Sequence, residues 1–273
     1  MVMSVNTNVA AFIALQGLSK TNAELAASQN RVNTGLRISS AKDNAAYFAI
    51  AQNLRADISG LSAATDSMNR ARGVVDVALA ALEGVQGLLV ELKQKAVAAA
   101  DPGLDTTSRN ALIQEYNALS AQMSDLIATA SFNGTNLISG SPATVSAIVD
   151  DTGTRTITIN GTSADAQLTF SRTISTGASA ATVQAQLVNI DNSITNLSSV
   201  MSTFGSKSKQ LELQLSFNQK LSDSLETGLG NLVDADLARE NAKLQALQIK
   251  QQLGLQTLAI ANAQPQTLLS LFR

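Results

Sequence analysis

Four short constellations carry residue types capable of chemistry. Ser39-x-x-Lys42 and Ser206-x-x-Lys209 place a hydroxyl one helical turn from an amine. Penicillin-binding serine enzymes activate a nucleophile at that spacing. The companion Ser-Asp-Asn and Lys-Thr-Gly motifs are absent, and such matches arise by chance in a serine-rich chain, so a solvated helix face is the better reading. Gly228-x-Gly230 is half of a dinucleotide fingerprint. It lacks a third glycine and a preceding strand, and reads as a hinge that interrupts a helix. Asp150-Asp151 could hold a cation, and a hairpin turn explains the pair equally well.

Composition closes the remaining catalytic routes. The 273 residues include no cysteine, histidine or tryptophan. Disulfides, thiol nucleophiles, zinc–thiolate sites and imidazole bases are therefore excluded. No metal or cofactor is expected, and the chain is expected not to be an enzyme. A net charge of −2 lacks the basic stripe that nucleic-acid binding needs. No run of about 18 apolar residues suggests a membrane span, and the opening residues lack the basic and apolar regions of a secretory signal. Only 15% of residues are charged, against about 25% in an average soluble domain. So little charge suggests that something else covers much of the surface.

The elements that would position any site are mostly helical. From Val5 to about Asn33, apolar residues keep helical spacing, and Gly35 offers a stop. A second pattern runs from Lys42 to about Ala99 with apolar steps of three and four, as in a coiled-coil seam. Such a helix is roughly 85 Å long, against a radius of gyration of about 18 Å for a compact chain of this size. An elongated molecule is expected. DPGLDTTS breaks the chain, with Asp105 or Thr106 as N-cap. The stripe Leu112, Tyr116, Leu119, Met123, Leu126 follows.

Between about 143 and 176 the period becomes two. Ile157 and Ile159, then Leu168 and Phe170, alternate with polar residues. Turn signals at 150–153 and Asn160-Gly161 suggest two or three short strands. Helical spacing resumes at Val183, is expected to break near Gly228 and Gly230, and returns from Asp234 to about Leu269. The expected fold is mainly α, an elongated helical hairpin or coiled-coil bundle with long antiparallel helices and a small β-hairpin insert. Residues 1–40 would pair with 234–273, residues 41–142 with 177–233, and 143–176 would form the surface β element. The terminal helices are nearly uncharged on most faces, more than a two-helix pair can bury.

Two segments resemble the signatures of bacterial flagellins. NRVNTGLRISSAKDNAAYFAIAQNLRADISGL (30–61) resembles the N-terminal one, and LVDADLARENAKLQALQIKQQLGLQTLAIANAQPQTLLSLFR (232–273) the C-terminal one. MSVNTNVAAFIALQGL and FNGTNLISG match too, and the centre is short for the family. The resemblance implies a homopolymeric helical filament for swimming motility, located outside the cell. It implies paired termini lining a channel, and export in an unfolded state through the flagellar type III apparatus. Sister flagellins, a chaperone, and cap and junction proteins are implied partners. Neither nucleic acid nor membrane insertion is. Polymerisation is assigned to Val5, Val9, Phe12, Leu15, Leu247, Leu258, Leu268, Leu271 and Phe272, with folding coupled to association. Arg31, Arg37, Lys42 and Asp43 are either polar contacts at the joint, within or between subunits, or ordinary solvated charges.

The family also carries a segment read by Toll-like receptor 5. Here it is Leu89 to Val97, with Glu115 as partner position. The recognised form has arginine where Glu91 stands and leucine where Lys95 stands, so weak or absent recognition is expected. Exposed Ser and Thr of some flagellins are O-glycosylated, and 152–182 is rich in both, although strand propensity explains threonine equally. A hook–filament junction protein, a secreted effector with a catalytic centre and a coiled-coil adaptor are the rival readings. The match at both ends favours the filament subunit.

Overall fold

The computed structural model describes residues 7–270, with side chains described through residue 263. The described residues hold α1 (Val9–Thr34), α2 (Ala45–Ala99), α3 (Thr106–Thr129), β1 (Thr144–Ile148), β2 (Thr156–Asn160), α4 (Ala164–Gln167), α5 (Ala180–Val233) and α6 (Leu237–Ser270). They form two compact units. One comprises Met1–Ala56 with Ser224–Arg273, the other Asp57–Asp223. Helices α2 and α5 contribute to both, so the division falls inside helices rather than at the breaks that the sequence pattern marks.

Local chemistry sets the helix ends. Asn8 caps α1 by accepting from the Ala11 amide at 3.0 Å. Gly35 ends it at φ +71, and its amide donates to the Arg31 carbonyl at 2.9 Å. A side chain is disfavoured in that left-handed conformation. Asp105 caps α3, accepting from the Ser108 amide at 3.0 Å. Arg109 then holds the preceding turn by donating to the carbonyls of Ala99, Asp101 and Leu104.

The Asp57–Asp223 unit has a seam of heptad quality. On α2 the buried Leu61, Ala64, Met68, Ala71, Val75, Ala78, Leu82, Val85, Leu89, Leu92, Ala96 and Ala99 follow one another in alternating steps of three and four, with Val74 and Ala81 buried beside them. On α5, Val183, Ile190, Leu197, Phe204, Leu211 and Asn218 are buried at intervals of seven. The helices run antiparallel. Asp76 meets Ser208, Gln86 meets Ser198, and Lys93 pairs with Asp191 at 2.5 Å. Register is held along the pair, the geometry of a coiled coil. One 18-residue window of α2 is apolar enough, by length and composition, to cross a membrane. The helix uses its apolar stripe as the core of this unit.

Helix α3 buries Ile113, Tyr116, Ser120, Met123 and Ile127, with Leu112, Leu119 and Leu126 at the margin of the core. The buried stripe is thus shifted by one residue from the one read off the leucines. Strands β1 and β2 form an antiparallel hairpin in the register Thr144 with Asn160 through Ile148 with Thr156. It is fastened to the long helices. The Ile148 amide donates to Ser67 Oγ at 3.1 Å, and Asn218 Nδ2 donates to the Val149 carbonyl at 3.0 Å. Gly60 lies so close to the hairpin turn that a Cβ there would stand 2.6 Å from the Asp151 carbonyl oxygen.

Two expectations are corrected. Leu168 and Phe170 are buried but not in a strand. Their backbone is bound by side chains, the Thr169 amide donating to Ser193 Oγ at 2.9 Å and the Ser171 amide to Gln186 Oε1 at 2.8 Å. Alternation alone does not separate such a segment from a strand. Gly228 and Gly230 lie within α5, which runs unbroken to Val233. A glycine costs a helix about 1 kcal/mol, which the packing of a 54-residue helix overrides.

Candidate assembly surface

The unit containing both termini pairs α1 with α6. The helices run antiparallel. Asn8 Nδ2 donates to the Ala261 carbonyl at 2.7 Å, Gln251 Nε2 to Asn22 Oδ1 at 2.8 Å, and Ser28 Oγ to Glu240 Oε2 at 2.6 Å. The facing positions are Ala11, Ala14, Leu18, Thr21, Leu25, Ser28 and Val32 on α1. On α6 they are Glu240, Leu244, Leu247, Gln251, Gly254, Leu258 and Ala261. Both sets step by threes and fours, so this too is a heptad seam. Six of its fourteen residues are Leu or Val, and the rest are small or polar. A Cβ on Gly254 would stand 3.3 Å from Leu18 Cδ1.

A second set of large apolar residues lies on the other faces. Val9, Phe12 and Ile13 are each 66% exposed, Leu15 53%, Ile249 58% and Ile260 65%. Leu237, Leu253 and Leu255 are exposed as well. A stable globule has the opposite arrangement, and an apolar surface of this extent marks a place where other molecules dock.

The sequence-assigned polymerisation residues therefore divide. Val9, Phe12 and Leu15 face outward. Leu247 is only 6% exposed and Leu258 is half-buried, because both occupy the seam. They face α1 across the seam rather than standing on an outward face. Val5, Leu271 and Phe272 lie outside the described residues, and the side chain of Leu268 lies outside the described side chains. Ile249, Leu253, Leu255 and Ile260 were missed. Their signal was present, since none falls on the heptad through Leu244, Leu247 and Leu258.

At the base of the pair the chain joins its helices through polar contacts. The Arg31 guanidinium lies 3.1 Å from Glu240 Oε1. The Ser28 hydroxyl, and next Arg31, hold the Glu240 carboxyl below its usual pKa. Arg37 donates to the Leu232 carbonyl at 2.8 Å, and its amide to the Val233 carbonyl at 2.7 Å. Ile38, Ala51 and Val233 form a small core beneath. Asp43 accepts from the amides and hydroxyls of Ser39 and Ser40, and the Ser40 and Ser39 amides lower its pKa first among these. Lys42 is exposed and takes no part in that network. Arg31, Arg37 and Asp43 thus serve contacts within one chain.

Glu240 gives this joint a pH dependence. Its folded pKa lies below its unfolded value of about 4.3. The stability it contributes is therefore present above that pH and is lost as pH falls through the folded value. Filaments of the Glu240→Gln variant will dissociate at a lower temperature than the parent at pH 7, and the difference will shrink towards pH 3. An equal difference at both pH values, followed by circular dichroism, would count against this role.

The other constellations resolve into ordinary structure. Ser206 Oγ donates to the Ser202 carbonyl, and Lys209 pairs with Glu212, so no serine is held against an amine. Asp150 accepts from Thr152 Oγ1, Thr154 Oγ1 and the Arg155 amide. These bonds, Thr152 first, lower its pKa to about 2. It is the lock of a hairpin turn. In the receptor-like segment Leu89 is fully buried and Glu91 exposed, while Lys95 pairs with Glu115 at 2.5 Å.

Comparison with known proteins fits these features. Residues 5–143 match the bacterial flagellin N-terminal helical region. The chain belongs to the bacterial flagellins. Residues 187–272 match the family's C-terminal helical region. The relatives include flagellin FljN of Caulobacter vibrioides, 44% identical over 99% of this chain and 98% of that protein. Another is a Brucella melitensis flagellin, 35% identical over 99% of both chains. A solved Vibrio parahaemolyticus protein described as flagellar hook-associated covers 70% of this chain at 15% identity and a TM-score of 0.61. At that identity it shows the fold alone. Whole-length flagellin relatives identify this chain as a filament subunit, a structural protein of motility, and do not favour the hook–filament junction reading.

Proposed function

We propose that the α1–α6 pair is the polymerising element of this flagellin and that copies of the same chain, or of sister flagellins, cover its outward apolar face. The observation that carries this reading is that Phe12, Ile13, Ile249 and Ile260 stand outside the pair, on faces that its seam leaves uncovered. Each side chain of that size gains about 1.5–3 kcal/mol on full burial, so association completes the helix pair. The delayed ordering suits a chain exported unfolded through the type III apparatus to an extracellular filament, with chaperone, cap and junction proteins as partners. The test is seeded regrowth from depolymerised filaments with Phe12 and Ile260 replaced by aspartate. Elongation at the parental rate would refute the reading.

A second reading concerns the receptor-like segment, where the Lys95–Glu115 ion pair engages the one position that matches the recognised form. Purified monomer should activate the receptor weakly or not at all. Substituting Glu91→Arg and Lys95→Leu, which frees Glu115, should raise activation by about tenfold or more in a reporter-cell assay, since charge complementarity governs association. Strong activation by the unmodified monomer would sink this reading.

A further inference from the structure

Lys20 and Lys250 stand level with each other on the α1–α6 pair, as the bond from Gln251 to Asn22 shows. Both are exposed, and neither makes an ion pair among the described residues. Acid is scarce around them. Helix α1 has only Glu24, and no acidic residue follows Glu240 in the sequence. Their neighbours are the outward Leu15, Ile249 and Leu253, part of the surface that polymerisation would cover. Burying an unpaired ammonium there is costly. The same unit carries exposed carboxylates elsewhere, of which Asp236 also caps α6 by accepting from the Arg239 amide at 3.1 Å. Glu226, Asp234 and Asp236 are exposed and line one open depression at the turn between α5 and α6. Gly230 admits the Asp234 carboxylate, since a Cβ there would stand 2.7 Å from its Oδ2. Among the described residues no ion pair joins these carboxylates to a cation. Arg31 pairs with Glu240 and Arg37 with a carbonyl, while Arg239 and Lys243 face the adjoining hollow beside Asp234 and Asp236.

We propose that the Glu226–Asp234–Asp236 ledge of one copy receives Lys20 and Lys250 of a neighbouring copy, fixing the axial register of the assembly. This rests on the α1–α6 pair being the polymerising element and names which surfaces of two copies meet. Lys250 lies fourteen residues beyond Asp236, about 21 Å along α6 at 1.5 Å per residue. The two charge sets are therefore offset along the axis and cannot satisfy each other within one chain. They do so when a second copy is displaced by that offset, a head-to-tail contact that leaves the polymer open. Apolar burial supplies most of the attraction, and the charges select among registers.

The test is seeded elongation of the full chain at low ionic strength, with monomer helicity checked by circular dichroism. Lys20→Glu with Lys250→Glu should slow elongation about tenfold, and so should Glu226→Lys with Asp234→Lys. All four substitutions in one chain restore complementarity and should bring the rate back to within about threefold of the parent. The deficits should shrink in high salt, which screens exposed pairs. Parental elongation by either pair of reversals, or no recovery in the fourfold variant with normal monomer helicity, would overturn the proposal. Neither result would restore growth to the Phe12→Asp, Ile260→Asp chain, so the two readings fail separately.

Discussion

Replacing Phe12 and Ile260 with aspartate will abolish seeded filament elongation while leaving the Asp57–Asp223 unit folded. Both residues lie off the α1–α6 seam, at 66% and 65% exposure, so the substitutions leave its facing positions unchanged. Each forfeits about 1.5–3 kcal/mol of burial available in the polymer. Each also adds a carboxylate whose desolvation costs several kcal/mol more. Because every added subunit meets both changes, the critical concentration for growth should rise by several orders of magnitude. Electron microscopy of seeds mixed with variant monomer will show seeds that do not lengthen. Removing residues 1–30 should give the same result. By contrast Leu247→Ala, in the seam, should lower monomer helicity first and impair growth as a consequence. Variant filaments of normal length would contradict the assignment of the outward faces.

The sequence made the helices legible and the inner pair only partly so. Steps of three and four along α2 and intervals of seven along α5 correspond to buried seams, because a heptad of Leu, Val and Met has one physical use. Asp105 and Gly35 announced their caps because a short polar side chain and a left-handed residue each solve a specific backbone problem. The terminal pair defeats the same method. Hydrophobic periodicity assumes that large apolar residues face inward. Here Leu and Val share the seam with small residues, while Phe12 and Ile260, as large as any of them, stand outside. Leu247 and Leu258 were drawn into the interface by their size, although their heptad positions place them between the helices. Ile249, Leu253, Leu255 and Ile260 escaped because they match no single stripe.

On α3 the leucines Leu112, Leu119 and Leu126 drew the stripe one residue from Ile113, Ser120 and Ile127. Ser120 is the informative position. It is buried with a hydroxyl that finds no partner, and a pattern of apolar residues has no means of placing it. The hairpin turn at 150–153 was legible because Asp, Thr and Gly specify it. What the sequence could not disclose is how the hairpin is fastened, since Ser67, Asn218 and Gly60 are distant in sequence and ordinary in type.

Tyr116→Ala will destabilise the Asp57–Asp223 unit by about 3–5 kcal/mol, the range for deleting a buried aromatic side chain. The ring is 1% exposed and meets Phe170 edge to face at a centroid distance of 6.1 Å. Its hydroxyl donates to the Ser171 carbonyl at 2.8 Å, and burial pushes its pKa up, so it stays a donor well above neutral pH. The neighbouring Asn117 both donates to the Ile174 carbonyl, at 3.0 Å, and accepts from the Ile174 amide, at 2.9 Å. Residues 168–174 have no strand partner, and α3 holds them through these two side chains while Ser193 and Gln186 hold them from α5. Tyr116→Phe isolates the hydrogen bond. It keeps the ring contact and leaves the Ser171 carbonyl without its donor, at a cost of about 1–3 kcal/mol. Urea unfolding will separate the two variants. Hydrogen exchange at Ile174 should accelerate in Tyr116→Ala, because the segment that Asn117 grips loses its second anchor. A Tyr116→Ala chain within about 1 kcal/mol of the parent would mean that the segment is fixed without the tyrosine, by Asn117 and Ser124 of α3 and by α5.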